Sequence, residues 1–379
     1  MRIRTVSELL QMGPVRIGSS EVIRVAVPMH EPFRISSGEV CSKEALLLRL
    51  ADGEFFGWGE SSSMPGSFYS SDTPDGCERE LLALLPLLMG RTFATMGELD
   101  DFLKRRSLSP FVRVAVETAA WELLARTKGS SLRCLFGLHD APVATGLAVG
   151  LYPTVDEFNA ALERFRPRDY SRLKIKIKRG HDVALVRAVR EIYGDIPLVV
   201  DANADYTDAD CDVFRQLDSF GLMMFEQPFA KDDLVTSAKL QAEVRTPICF
   251  DEGVECAEDV YRGVEVDAMR VVNIKLQRVG GYLEAWRIIE ACVAKEVPFW
   301  MGTMPELGVG SAQALVLATH PGCRFPTDVE PSSRWYTGDI LEPSLQMQDG
   351  TLRIPEGSGL GFEIDSRAVE SFAMQRWTF

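Results

Sequence analysis

From about residue 142 onward the chain keeps a beat: a short apolar run, a turn, then an amphipathic stretch with room for one helix, recurring roughly every 25 residues. The eight runs are VATGLAVGL, RLKIKI, PLVVDAN, LMMFEQP, PICFDEG, MRVVNIKLQ, VPFWMGTM and CRFPTDV, and segments such as DVALVRAVREIYG lie between them. Apolar strands alternating with helices call for a parallel sheet covered by helices, because a crossover between parallel strands needs a dozen or more residues. Eight units of this kind predict a (β/α) barrel, while spacing alone also allows an open doubly wound sheet.

The 379 residues leave room for such a barrel, which takes about 250 residues, and one smaller domain. Before residue 142, EVIRVAVPM and ALLLRLADGEFFGWGE read as strands, with a turn at Asp52 and Gly53. ERELLALLPLLMG and FVRVAVETAAWELLARTKG carry apolar residues at helical spacing, and each runs out at a glycine. A first domain of α+β type follows. After residue 341, EPSLQMQDGTLRIPEGSGLGFEID returns to strand and turn signals; Gly357, Gly359 and Gly361 lack the strand-to-helix setting of a nucleotide loop and read as turns.

A net charge of −14 argues against nucleic acid and anionic membranes as partners, since both need basic surface. The eight cysteines include no C-x-x-C pair, so zinc sites and redox motifs lack their spacing, and reduced thiols in the cytoplasm are expected. No run approaches the roughly 18 apolar residues of a membrane span, and MRIRTVSELLQMGPVRIGSS has no apolar stretch long enough for a signal peptide. The expected partner is a small molecule.

In RLKIKIKRG, residues 172–180, Lys174, Lys176 and Lys178 share one face of a strand, and Leu173, Ile175 and Ile177 share the other, toward the helix layer. Charge runs usually face solvent. The acids change that reading, because barrels carry their chemistry at the C-terminal ends of strands. Asp201, Glu226 and Asp251 end strands three, four and five at intervals of 25 residues, and Lys275 follows 24 residues later near the end of strand six. Three carboxylates at one rim are costly to bury without a compensating cation. An all-oxygen set with no His or Cys points to Mg²⁺, or to Mn²⁺ as its common substitute. Any one acid has a plain alternative as a helix N-cap; three in register are poorly explained that way. Near the cation and a second ammonium, a partly desolvated lysine has its neutral form favoured and can act as a base. Two lysines flanking one bound carboxylate could then remove or return a proton on either face of its α-carbon.

These residues carry a resemblance. With K-x-K in LKIKIKRG and then DAN, EQP, DEG and NIK in order, the chain from about residue 20 resembles the enolase superfamily, in its muconate lactonizing enzyme subgroup. PFRISSG, GWGESSSMPGSFYSSD, VVDANADYT, RVGGYLEAWRI and SSRWYTGDI are most similar to the o-succinylbenzoate synthases and N-succinylamino acid racemases. The resemblance implies a modified TIM barrel, (β/α)7β, over 142–340, closed by an α+β capping domain, 18–141, and a returning tail, 341–379. It implies Lys176 and Lys275 as the acid/base pair, Asp201, Glu226 and Asp251 as ligands of Mg²⁺, and Lys174 and Asn203 as holders of the substrate carboxylate. It also puts Met304 and Glu306, in GTMPELG, against the substrate, with loops near 29–38 and 60–70 as its cover. The implied chemistry is removal of the proton α to a carboxylate by a lysine or histidine base beside Mg²⁺. Its outcome would be syn loss of water to o-succinylbenzoate, a menaquinone precursor, or racemisation of an N-succinylamino acid. A homo-oligomer is expected.

The chain departs from the pattern in places. The usual I-x-P-G becomes IKRG, which puts Lys178 and Arg179 at the end of strand two; GTMPELG, with Thr303 and Pro305, is closer to muconate cycloisomerases; Glu330 stands where many synthases have Ser. An acid at 330 could meet a substrate ammonium, as in dipeptide epimerases, or simply cap a helix, and Lys178 and Arg179 could be solvated. Dipeptide epimerisation and muconate-type cycloisomerisation are thus the runner-up activities, and a non-catalytic binder on the same scaffold is a remote one. Acid-sugar dehydration fits least, since none of His30, His139, His181 and His320 ends a barrel strand. The first 17 residues have no counterpart in the resemblance and are expected to be disordered or a start-site artefact.

Overall fold

The computed structural model describes residues 2–35, 38–66 and 70–379. Of the two expected cover loops, residues 36–37 and 67–69 lie outside the described residues.

The start of the chain corrects the expectation of disorder. Helix α1 (Val6–Leu10) opens with a capping box, in which the Thr5 hydroxyl accepts from the Glu8 amide and Glu8 accepts from the Thr5 amide. Val6 and Leu9 are buried, the Val6 amide donates to Glu290 at 2.7 Å, and the Trp286 indole donates to the Arg4 carbonyl at 3.0 Å. These partners lie some 280 residues away in sequence, out of reach of any local pattern.

Strands β1 (Ser19–Ile35), β2 (Gly38–Asp52) and β3 (Phe55–Ser61) form an antiparallel sheet, and β2 turns into β3 at Gly53, whose φ of +61° suits glycine. Helices α2 (Pro74–Leu88), α3 (Met96–Lys104) and α4 (Pro110–Thr127) follow. Helix α4 is apolar nearly all round, as a helix covered on every side must be. Its backbone comes so close to β3 that a Cβ at Gly59 would lie 1.8 Å from the Ala115 carbonyl oxygen, which explains the glycines of the GWG motif.

Seven parallel strands pair in chain order: β4 (Gly146–Val149), β5 (Arg172–Lys176), β6 (Leu198–Asp201), β7 (Met224–Glu226), β8 (Ile248–Phe250), β9 (Val271–Ile274) and β10 (Phe299–Met301). The eighth expected strand, in CRFPTDV, is reduced to isolated bridges, Phe299 to Cys323 and Thr145 to Thr327. Pro326 has no N–H to give a ladder. Scattered backbone bonds and side chains close the seam together: the Gly146 amide donates to the Thr327 carbonyl at 2.8 Å and the Asp328 amide to the Met301 carbonyl at 3.1 Å, while the Thr327 hydroxyl donates to the Met301 carbonyl at 2.7 Å and Arg172 to the Pro326 carbonyl at 3.1 Å.

Alternation along each strand sorts the barrel into layers. Leu173, Ile175, Leu198, Val200, Phe225 and Val272 are buried in the main core outside the sheet. Val199, Met224, Cys249, Val271 and Trp300 form a separate apolar floor inside it. Two residues further along their strands stand Asp201, Glu226, Asp251 and Asn273.

The segment RVGGYLEAW joins α5 (Leu276–Val279) to α6 (Tyr282–Ala294). Helix α4 grips that junction. Arg113 donates to the Val279 carbonyl at 2.6 Å, and Glu117 accepts from the Tyr282 and Leu283 amides at 2.6 and 2.9 Å, an anion at a helix N-terminus. After α7 (Gly308–Ala318) the tail returns to the first domain, where β11 (Ala373–Thr378) pairs antiparallel with β1.

His320 lies in the core beside Trp286 and Phe299, with Nδ1 accepting from the Gly322 amide at 3.0 Å, and burial pushes its pKa down to about 4. The unfolded chain, with an ordinary histidine near 6.5, binds more protons between those values, so stability falls as pH drops from about 6.5 to 4. The expected loss is about 3 kcal/mol. Urea unfolding at pH 7, 5.5 and 4.5 should show a slope that His320→Asn flattens; an unchanged slope would refute this. Among the described residues no helix is long and apolar enough to cross a membrane.

Candidate active site

Parallel pairing sets the acids level. Lys176 lies opposite Asp201 and Asp201 opposite Glu226 in the strand register, so β5, β6 and β7 end at one height. One carboxylate oxygen each of Asp201, Glu226 and Asp251 lies within 4.8 Å of the others, and all three residues are fully buried. The acids expected from the sequence to be metal ligands do come together.

The lysines interleave with them. Lys174 Nζ is 2.6 Å from Glu226 Oε1 and 3.0 Å from both Asp201 Oδ2 and Asp328 Oδ2. On one flank Lys176 donates to Asp201 at 2.6 Å; on the other Lys275 donates to Asp251 at 2.8 Å. The inner face of K-x-K is therefore buried. Beyond the strand end the solvated reading holds, since Lys178 is only half-buried and Arg179 is exposed, 3.0 Å from Asp210.

Burial and charge divide the protons unevenly. Burial alone would raise the Asp201 pKa, but the ammoniums of Lys174, Lys176 and Lys275 hold it far below the usual carboxylate range. For Glu226, burial first and the Asp201 charge second push the pKa up to about 8. Burial opposes charge on Lys174 as well, yet Asp201, Asp328, Glu226 and Asp251 hold its pKa well above the ordinary value. Lys174 is thus a fixed cation, while Glu226 holds the most costly charge of the cluster.

Several participants were missed from sequence. Asp328 accepts from Lys174 at 3.0 Å and pairs with Arg172, whose guanidinium lies 4.7 Å from the Trp300 ring centroid. Asn273 Nδ2 donates to Glu226 at 2.9 Å, and Arg278 pairs with Asp251. The alternation rule could have found Asn273, two residues before Lys275 on the same face. Asp328 carried the same signal as the other acids, standing near the end of the eighth run, CRFPTDV.

A cleft opens over this layer. Lys174, Lys176, Asn203, Lys275 and Asp328 line its base, while Phe33 and Met64 of the first domain and Thr303, Met304, Pro305 and Trp335 of the barrel line its walls. Phe33 meets Trp335 edge to face, with centroids 5.0 Å apart. Asn203, at φ +44°, donates to Glu252 at 3.2 Å. Glu306 is not among the lining residues: its neighbour Met304 faces the cleft, while Glu306 is buried behind the wall near Glu60 and Lys43. Glu330 takes neither expected role. It is buried, and its Oε1 accepts from the Ala148 amide at 3.0 Å, with Arg334 3.7 Å away.

The triad suits a hard divalent cation. Its donors are all carboxylate oxygens, and Glu226 Oε2 is buried with no hydrogen-bond partner.

The mandelate racemase / muconate lactonizing enzyme N-terminal domain family matches residues 19–137, and the enolase C-terminal domain-like family matches residues 157–369. The chain belongs to the enolase superfamily. An o-succinylbenzoate synthase from Geobacillus kaustophilus is 37% identical to it over 343 residues, covering 90% of this chain and 92% of that protein. An N-succinylamino acid racemase from Amycolatopsis sp is 37% identical over 349 residues, covering 92% and 95%. The crystal structure of an enolase superfamily member from Listeria innocua matches with a TM-score of 0.90 at 30% identity, covering 96% of this chain and 99% of that one.

Proposed function

We propose that this enolase superfamily member is a cation-dependent enzyme that removes the proton α to a carboxylate, acting on the cyclohexadiene carboxylate precursor of o-succinylbenzoate, on N-succinylamino acids, or on both. The observation that carries this reading is the pair of buried lysines, Lys176 and Lys275, on the two flanks of one carboxylate cluster and lining one cleft.

Asp201, Glu226 and Asp251 would hold Mg²⁺ or Mn²⁺. When bound, the cation supplies positive charge against which a substrate carboxylate can take up a second negative charge. Lys174, fixed as a cation, and the Asn203 amide orient that carboxylate. Neutral Lys176 accepts the α-proton at Nζ, and the C–H electron pair passes into the carboxylate as an ene-diolate. In dehydration this pair expels the β-hydroxyl, which leaves as water with the proton from Lys176, while protonated Lys275 steadies the charge. In racemisation Lys275 instead delivers a proton to the opposite face. Phe33, Met64 and Trp335 keep water from the intermediate.

Epimerisation of dipeptides has less support. A free α-ammonium needs an available acid, yet Asp328 is paired with Arg172 and Lys174, and Glu330 is not among the residues lining the cleft.

Ultraviolet-monitored dehydration, and circular dichroism with N-succinylamino acids, test the reading with Mg²⁺ and again with EDTA. Turnover that EDTA abolishes and Mg²⁺ restores is expected; no turnover of either substrate in Mg²⁺ would overturn it. Independently, Mg²⁺ at about 100 times its Kd should stabilise the fold by about 2.7 kcal/mol. Asp201→Asn should lose that gain in thermal melts; a wild type indifferent to Mg²⁺ would remove the cation from the proposal.

A further inference from the structure

Behind the cleft, at the seam between the first domain and the barrel, lies a second buried charge cluster that the proposed chemistry does not use. Lys43 on β2 is 1% exposed. Its Nζ donates to the Ser62 carbonyl at 2.8 Å and lies 3.9 Å from Met64 Sδ, and Glu60 and Glu306 set the negative field around it. Glu60, at the end of β3, reaches into the barrel, where it accepts from the Leu307 and Gly310 amides at the start of α7, both at 2.7 Å. Gln277, just after Lys275, clasps the same strand end, accepting from the Ser62 amide and donating to the Glu60 carbonyl, both at 2.9 Å. Gly310 makes room for the cluster, since a Cβ there would fall 2.7 Å from Glu306 Cβ.

Burying an ammonium costs several kcal/mol unless close partners repay it, and a methionine would fill this space without that cost. What the ammonium reaches is informative. Ser62 and Met64 belong to the segment that carries one wall of the cleft, and Glu306 belongs to the loop that carries Met304 and Pro305, the facing wall. Glu60 ties the two together.

We propose that Lys43 is a positioning residue that sets the spacing between Met64 and the Met304–Pro305 wall, and thereby selects the non-reacting part of the substrate. This rests on the reading of the cleft as the carboxylate-binding site. The acid/base lysines and the triad sit on other elements, and the one link between them and the cluster runs through Gln277. Selection by the wall therefore separates from chemistry at the base.

The test compares wild type, Lys43→Met and Lys43→Arg. Binding of an N-succinylamino acid and of the matching N-acetylamino acid is followed through fluorescence of Trp335, with thermal melts alongside. The expected result is about tenfold weaker binding of the succinyl compound by Lys43→Met, a change of no more than about twofold for the acetyl compound, and recovery in Lys43→Arg. Where a substrate turns over, the loss should appear in KM and leave kcat nearly unchanged. Equal losses for both compounds, or no loss, in a variant that melts like wild type would overturn the proposal. So would unfolding of both variants, which would make Lys43 a purely structural group. If wild type binds neither compound, the reading of the cleft itself fails.

Discussion

Replacing Lys176 with alanine is expected to lower kcat by on the order of 10³-fold while leaving the thermal stabilisation by Mg²⁺ intact. Lys176 Nζ lies 2.6 Å from Asp201 and lines the cleft, so its loss removes the group proposed to accept the proton and spares the carboxylates that would hold the cation. Lys275→Ala distinguishes the two reactions. If N-succinylamino acids are substrates, racemisation should stop, yet one enantiomer should still exchange its α-hydrogen with D₂O through Lys176, and Lys176→Ala should exchange only the other. Exchange of both enantiomers in either variant would break the assignment of one lysine to each face. Loss of the Mg²⁺ response together with activity would mean that the lysine organises the triad and does not carry the proton.

Gly281→Ala should destabilise the protein by about 3 kcal/mol or more, lowering Tm by roughly 5 °C or more. Gly281 has φ +131° and ψ −178°, a backbone region reserved for glycine, and a Cβ there would stand 2.2 Å from Glu117 Oε2. Strain and the displacement of Glu117 from the start of α6 act together. The cost should reach the site, because α5 carries Arg278 onto Asp251 and follows directly from Lys275. Activity should fall beyond what the unfolded fraction explains. A Tm within 1 °C of wild type would show that α4 yields easily and that the close packing is not required.

The layer of acids and lysines was legible because its signals are local. A strand alternates its side chains, a βα unit repeats at a fixed length, and each acid or lysine was named by its place in one unit. The same rule predicted the apolar outer face of β5, with Leu173, Ile175 and Ile177 buried in the main core. It failed for the eighth strand, where Pro326 interrupts the ladder and the seam is held by scattered backbone bonds and by the side chains of Thr145, Arg172 and Thr327. It failed again at the first 17 residues, whose capping box is local but whose burial depends on Trp286 and Glu290.

Glu306 and Glu330 mark the boundary most clearly. The sequence determined that the chain alternates strand and helix and which acids and lysines end the strands, and so which of them meet in one layer. Whether an acid near the rim meets a substrate or spends its charge inside the protein was decided only by the tertiary structure. A carboxylate's role depends on the donors and charges that surround it: for Glu330 and Asp328 the donors come from segments remote in the chain, the Ala148 amide, Arg172 and Lys174, and for Glu306 the remote groups are the charges of Glu60 and Lys43.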